Sequence, residues 1–206
     1  MNQIALPLDW PAAERESDFI VSKANQNAVR HLSHLSLWPL MVTLLTGPRK
    51  SGRSFLGRIF AARSGGDLID DAERCDEEIL FHAWNRAQAE RKPLLIIADM
   101  PPPSWEIKLP DLASRLAATP HIEIGQPDDV LITELLERLM AARGLAMSRE
   151  VATWLTRRIE RSYVTINRAV DLLDEAAWSR RGKIGISLAR ETLCSAGVID
   201  DSHIMR

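Results

Sequence analysis

Apolar residues in this chain form short continuous runs as far as residue 126 and helical periodicity beyond it. Residues 41–45 (MVTLL), 68–69 (LI), 94–98 (LLIIA) and 121–124 (HIEI) are the runs. The runs at 41–45 and 94–98 predict buried strands, and those at 68–69 and 121–124 predict short strands. Helical spacing predicts helices over about 26–35, 53–63, 73–91 and 109–116. Asn25 is placed to cap the first, and Ile79, Leu80, Ala83, Trp84 and Ala87 form the apolar stripe of the third. Ser64-Gly65-Gly66, Pro93 and Pro101-Pro102-Pro103 separate these elements, and Gly125-Gln126-Pro127 marks a boundary. Behind it the pattern is purely helical, near 128–142, 148–160, 162–179 and 187–195. The expected organisation is residues 1–17 as an extended or disordered leader, 18–126 as an α/β unit, and 127–206 as a small all-α unit.

Composition narrows the classes. Of 206 residues, 46% are hydrophobic and 26% charged, and the net charge is −2. From Pro127 onward twelve basic residues face twelve acidic ones, so neither part carries a basic footprint for nucleic acid. Cys75 and Cys194 lie far apart without metal-ligand spacing, which fits structural thiols in a reducing compartment. No apolar run approaches the roughly 18 residues of a membrane span. A cytoplasmic protein is expected, with no membrane partner and no sequence-specific nucleic-acid binding.

The chemistry centres on residues 41–63, MVTLLTGPRKSGRSFLGRIFAAR. A strand, then Gly47, four residues, Gly52, Arg53 and Ser54, then a helix, is the context of a phosphate-binding loop. Glycines let the backbone approach an anion, and the helix N-terminus adds unpaired N–H groups and a favourable dipole. Ser54 stands where a hydroxyl would meet Mg²⁺. Arg53 replaces the usual Lys with a wider, bidentate head of the same charge. The plainer alternative is an ordinary strand–turn–helix connection. Asp70 and Asp71 end a short strand 16 residues after Ser54, as the acidic partner of a phosphate loop would, or else form a polar turn. Asp99 ends the strongest strand signal, where a polar side chain points into the crevice of an open α/β sheet. A lone Arg such as Arg115 is by default a solvated charge. Gln3, Ile4, Leu6, Pro7 and Leu8 read either as a short peptide ligand or as a segment docked on the protein's own surface.

Taken together, these motifs resemble the DnaA-related branch of AAA+ ATPases, and within it the Hda-like regulatory inactivators of DnaA. The segment 18–25, with Phe19, Ile20 and Asn25, resembles the adenine-side box. Gly47, Pro48, Lys50, Ser51, Gly52, Arg53, Ser54 and Phe55 fall in the Walker A region, whose Gly52-Arg53-Ser54 ending is the Arg-bearing form found in that family. Residues 68–71 match Walker B, Asp99 the sensor 1 position, and 109–116 the box whose Arg115 is the arginine finger. Residues 3–8 resemble the family's sliding-clamp-binding peptide.

The resemblance implies an AAA+ P-loop nucleotide-binding domain followed by a helical lid. Its sheet should be truncated to about four strands, because the interval between Walker A and Walker B is very short. It implies ADP or ATP as ligand and Mg²⁺ held through Ser54 and Asp70. Asp71 and Asp99 are the catalytic carboxylates it implies, with Arg115 acting in trans. Simple alignment puts Val164 or Thr165 at the sensor 2 position, which leaves Arg161 or Arg168 to reach the phosphates. The partners implied are DnaA and the polymerase sliding clamp, with a homo-oligomer also open. The implied activity is stimulation of ATP hydrolysis by DnaA. An adaptor or loader for another replication protein, or a weak ATPase in its own right, are the other readings.

Overall fold

The computed structural model describes residues 19–180 and 184–200. Four strands, β1 (Val42–Thr46), β2 (Asp67–Ile69), β3 (Leu94–Ile97) and β4 (His121–Glu123), form one parallel sheet in the order β2-β3-β1-β4. Val42 pairs with Leu94, Leu44 with His121, and Asp67 with Leu94, which fixes the register across the sheet. The central strands β1 and β3 are buried along their whole length, as their unbroken apolar sequences require.

Strand pleating sorts successive residues to opposite faces. Leu45, Leu95 and Ile97 face the helices α1 (Gln26–Ser33) and α2 (Arg53–Ser64), packing with Leu32, Leu56 and Phe60. Leu44, Leu94 and Ile96 face α3 (Glu77–Glu90) and α4 (Pro110–Ala118), packing with Leu80, Ala87 and Leu112. Trp38 stacks between His31 and Phe60, with centroids at 5.1 and 5.6 Å. Its indole N–H donates to the His31 carbonyl at 2.9 Å.

Behind the sheet, α5 (Asp129–Ala142), α6 (Arg149–Thr156), α7 (Tyr163–Arg180) and α8 (Ile186–Ser195) share a separate apolar core that includes Leu136, Met140, Leu155, Val170, Leu173 and Leu193. Leu131 and Tyr163 pack instead into the α1–α2 core, so α5 and α7 reach the sheet unit through their first turns. Among the described residues no helix is long and apolar enough to cross a membrane.

Several local expectations differ from the structure: the helix expected over 148–160, for one, already ends at Thr156. Asn25 precedes α1 but does not cap it; its side chain accepts the Ser22 N–H at 2.9 Å and donates to the Ile20 carbonyl at 2.8 Å. The third helix starts at Glu77, not at residue 73, because the Asp76 carboxylate takes the Glu78 and Ile79 N–H groups and stops the helix there. Ile79, expected on that helix's apolar stripe, is exposed and lines a hollow beside β2, an edge strand of the sheet.

Candidate functional site

The turn after β1 is shaped by backbone that only small or special residues tolerate. Gly47 has φ +150°, and a Cβ there would lie 2.6 Å from the Ile124 carbonyl oxygen. Lys50 and Gly52 are left-handed, at φ +65° and +87°. Such alternation between left-handed and ordinary backbone builds an anion-binding nest. Gly52 opens α2 without a side-chain cap, so the first-turn N–H groups and the positive end of the helix dipole are left to a ligand. The Ser51 hydroxyl is buried and makes no hydrogen bond to a described residue. A bound phosphate oxygen would satisfy it. The loop therefore suits an anion of phosphate type.

The segment expected on the adenine side flanks this loop. The Phe19 ring packs on Gly52 and meets Phe55 edge-on at 5.9 Å. Asn25, buried, fixes Ile20 and Ser22, while the Ala24 carbonyl accepts the Gly125 N–H at 2.8 Å. A cavity of about 370 Å³ opens from Phe19 along α1 and α2, lined by Leu32, Leu56 and Phe60. Pro48 is half-buried, Lys50 exposed, and Ser54 sits half-buried in the first turn of α2.

Arg53 does not point freely into the loop. Its guanidinium, on a side chain only 10% exposed, donates to the Ala98 carbonyl and the Asp99 carboxylate. The Arg49 Nε lies 3.8 Å from the other Asp99 oxygen. Glu73, on a 3₁₀ turn after β2, accepts the Asp99 N–H at 3.2 Å, and its second carboxylate oxygen is buried without a described partner. The sequence reading missed Arg49 and Glu73; only the position of Arg49 inside the loop pointed to it. Asp70 and Asp71 are exposed at the end of β2, and Asp70 accepts the Asp71 N–H at 3.0 Å. Among the described residues no group of three or more His, Cys, Asp or Glu is arranged to hold a metal ion. Ser54, in the first turn of α2, and Asp70, at the end of β2, are the two residues expected at Mg²⁺.

Arg115, on α4, is not a solvated charge. Its Nε donates to the Asn85 side-chain oxygen at 2.9 Å and its Nη1 to the Asp111 carbonyl at 3.3 Å. The guanidinium carbon lies 4.6 Å from the Phe81 ring centroid and 5.4 Å from that of Trp84. Trp84 is itself held by the Thr119 hydroxyl at 3.0 Å. Cation–π and hydrogen-bond contacts together fix this head against α3.

The two sensor 2 candidates lie elsewhere. Arg161 pairs with Asp129 at 2.9 Å, and Arg168 donates to the Ala196 carbonyl at 3.4 Å. Tyr163, between them, is buried and donates to the Gly125 carbonyl at 3.1 Å, tying α7 to the end of the sheet unit. Burial, and then the Asp128 carboxylate, push its phenol up to about 12. Gln3, Ile4, Leu6, Pro7 and Leu8, expected to bind the clamp, lie outside the described residues.

The model of the Hda lid domain matches residues 129–193, within the helical unit. The whole fold is similar to domain III of the replication initiation protein DnaA from Thermotoga maritima, with a TM-score of 0.73 at 13% identity. That match covers 89% of this chain and 96% of the other. Residues 129–193 are thus Hda-lid-like, and the fold of the chain is that of DnaA domain III. AMPPCP-bound DnaA from Aquifex aeolicus is also similar, with a TM-score of 0.60 at 16% identity, covering 80% of this chain and 67% of that one. An uncharacterized protein of Haemophilus influenzae is 33% identical over 118 residues, 57% of this chain and 51% of that protein. The chain thus spans about half the length of the curated relative it matches. The four-stranded parallel sheet and the helical unit that matches the Hda lid domain agree with the truncated sheet and helical lid expected from sequence.

Proposed function

We propose that this chain is a regulator of replication initiation that binds ADP or ATP at residues 47–54 and supplies Arg115 to ATP-bound DnaA. The fixed posture of Arg115 is the observation that carries the reading. Its Nε and Nη1 are engaged and its plane rests on Phe81 and Trp84, while Nη2 makes no hydrogen bond to a described residue. An arginine held this way loses little side-chain freedom when it meets an anion, which suits it to act on a partner's phosphates. Residues 3–8 would hold the protein on the sliding clamp and raise its effective concentration near DnaA.

In this proposal the nest of residues 47–52 and the first turn of α2 hold the chain's own nucleotide phosphates. Ser54 and Asp70 hold Mg²⁺, which neutralises phosphate charge. Phe19, Ile20 and Asn25 line the base side. The bound nucleotide sets the posture of the lid through the junction at Gly125 and Tyr163. Arg115 stabilises charge that develops on the γ-phosphate in DnaA, so turnover belongs to DnaA.

Single-turnover hydrolysis of ATP bound to DnaA, with clamp loaded on DNA, tests this. The wild-type chain should accelerate it, and Arg115→Ala should lose most of a gain on the order of 10³-fold, the scale of a finger given in trans. Equal stimulation by wild type and Arg115→Ala overturns the reading. Stimulation that persists after residues 3–8 are deleted removes the clamp from it.

A further inference from the structure

Arg53, one of three cations in the phosphate loop with Arg49 and Lys50, already has an anion, and that anion belongs to the protein. Helix side chains lean toward the N-terminus, so Arg53, in the first turn of α2, folds back across the end of the sheet. There it reaches Ala98 and Asp99, which directly follow β3. Residue 98 runs beside β1, since its N–H donates to the Leu45 carbonyl at 3.1 Å. The arginine therefore ties the first turn of α2 to the carboxyl end of β3 at the mouth of the loop. Asp99 is fixed in turn, because its N–H is taken by the Glu73 carboxylate. A guanidinium paired with a carboxylate in so sheltered a place is electrostatically satisfied before any ligand arrives.

We infer that Asp99 is a built-in competitor for Arg53, which a phosphate must displace, and that Arg49 receives the displaced carboxylate. Arg49 lies on the free side of Asp99 at 3.8 Å and is largely exposed, so it can close on Asp99 without leaving a buried site. The exchange keeps every charge paired: Arg53 passes from carboxylate to phosphate, and Asp99 passes from Arg53 to Arg49. It sets the nucleotide affinity of the chain below what the nest and helix terminus alone would give. Glu73 is the positioning residue, holding the Asp99 backbone while the carboxylate changes partner. This inference rests on reading residues 47–54 as the phosphate loop.

Calorimetric titration of the full chain with Mg-ADP, and separately with Mg-pyrophosphate, tests it in wild type, Asp99→Asn, Arg53→Gln and the double variant. Asp99→Asn should tighten both ligands about tenfold, about 1.4 kcal/mol, the scale of one charge-assisted contact. In the Arg53→Gln background the same change should gain nothing. Asp99→Ser, a second neutral replacement, should reproduce the gain, and Arg49→Gln should weaken binding. Unchanged or weaker binding of both ligands by Asp99→Asn and Asp99→Ser overturns the inference. If pyrophosphate binds and tightens while ADP binds to none of the proteins, the competition stands and the nucleotide assignment falls. If neither ligand binds to any variant, both are overturned.

Discussion

Replacing Tyr163 by Phe removes one hydroxyl from the junction between the sheet unit and the lid. The ring keeps its place in the α1–α2 core, so the change isolates the hydrogen bond to the Gly125 carbonyl. Net loss of one such bond costs about 1 kcal/mol. For a chain of this size that lowers the melting temperature by about 2–4 °C. A second effect follows from titration. Burial and Asp128 raise the phenol to about 12 in the folded protein, against about 10 in the unfolded chain. The contribution is complete below about pH 10, where both states keep the proton. As pH rises further the unfolded state ionises first, and stability is lost progressively until the folded phenol ionises too. A shift of that size amounts to about 2–3 kcal/mol across the window. Tyr163 is the chain's single tyrosine, so the tyrosinate absorbance band reports this group alone. Urea unfolding of wild type and Tyr163→Phe at rising alkaline pH measures the linkage. Wild type should lose stability through the window and the variant should lose less by the stated amount. A phenol that titrates like free tyrosine, or equal slopes in the two proteins, refutes the assigned burial and contact.

Two further outcomes follow from single positions. Gly47→Ala places a Cβ against the Ile124 carbonyl at an unfavourable φ, and should cost about 2 kcal/mol or more together with loss of ADP binding; intact binding by calorimetry would show that the loop has another path. Burial lowers the His31 pKa, so the folded state disfavours its protonated form. Stability present above about pH 6.5 should fall as pH drops through the lowered value, and His31→Gln should flatten that dependence in urea melts at neutral and mildly acidic pH. An unchanged acid limb in the variant assigns the dependence to other groups.

The local sequence determined the elements because each is written in a few consecutive residues. The run at 94–98 is apolar at every position and became the fully buried β3, while the Gly47 and Gly52 spacing became left-handed turns at the end of β1. The short interval between Ser54 and Asp70 likewise left room for one helix and one strand, hence a sheet of four. Asn25 was legible as a helix boundary but not in its bonds, since a buried amide takes whatever backbone groups the fold brings to it.

Side-chain partnership across the sheet was decided only by the tertiary structure. Arg53 and Asp99 are 46 positions apart and meet because β1 and β3 are neighbours, a fact of strand order that no periodicity encodes. By pattern and spacing alone Arg115 reads as a solvated charge, yet packing of α4 on α3 gives it Asn85, Phe81 and Trp84 as partners. Hydrophobic pattern is a property of one segment against water and can be read segment by segment. Ion pairs, orphaned hydroxyls and cation–π contacts are properties of two segments brought together, and exist only once burial has fixed which segments those are.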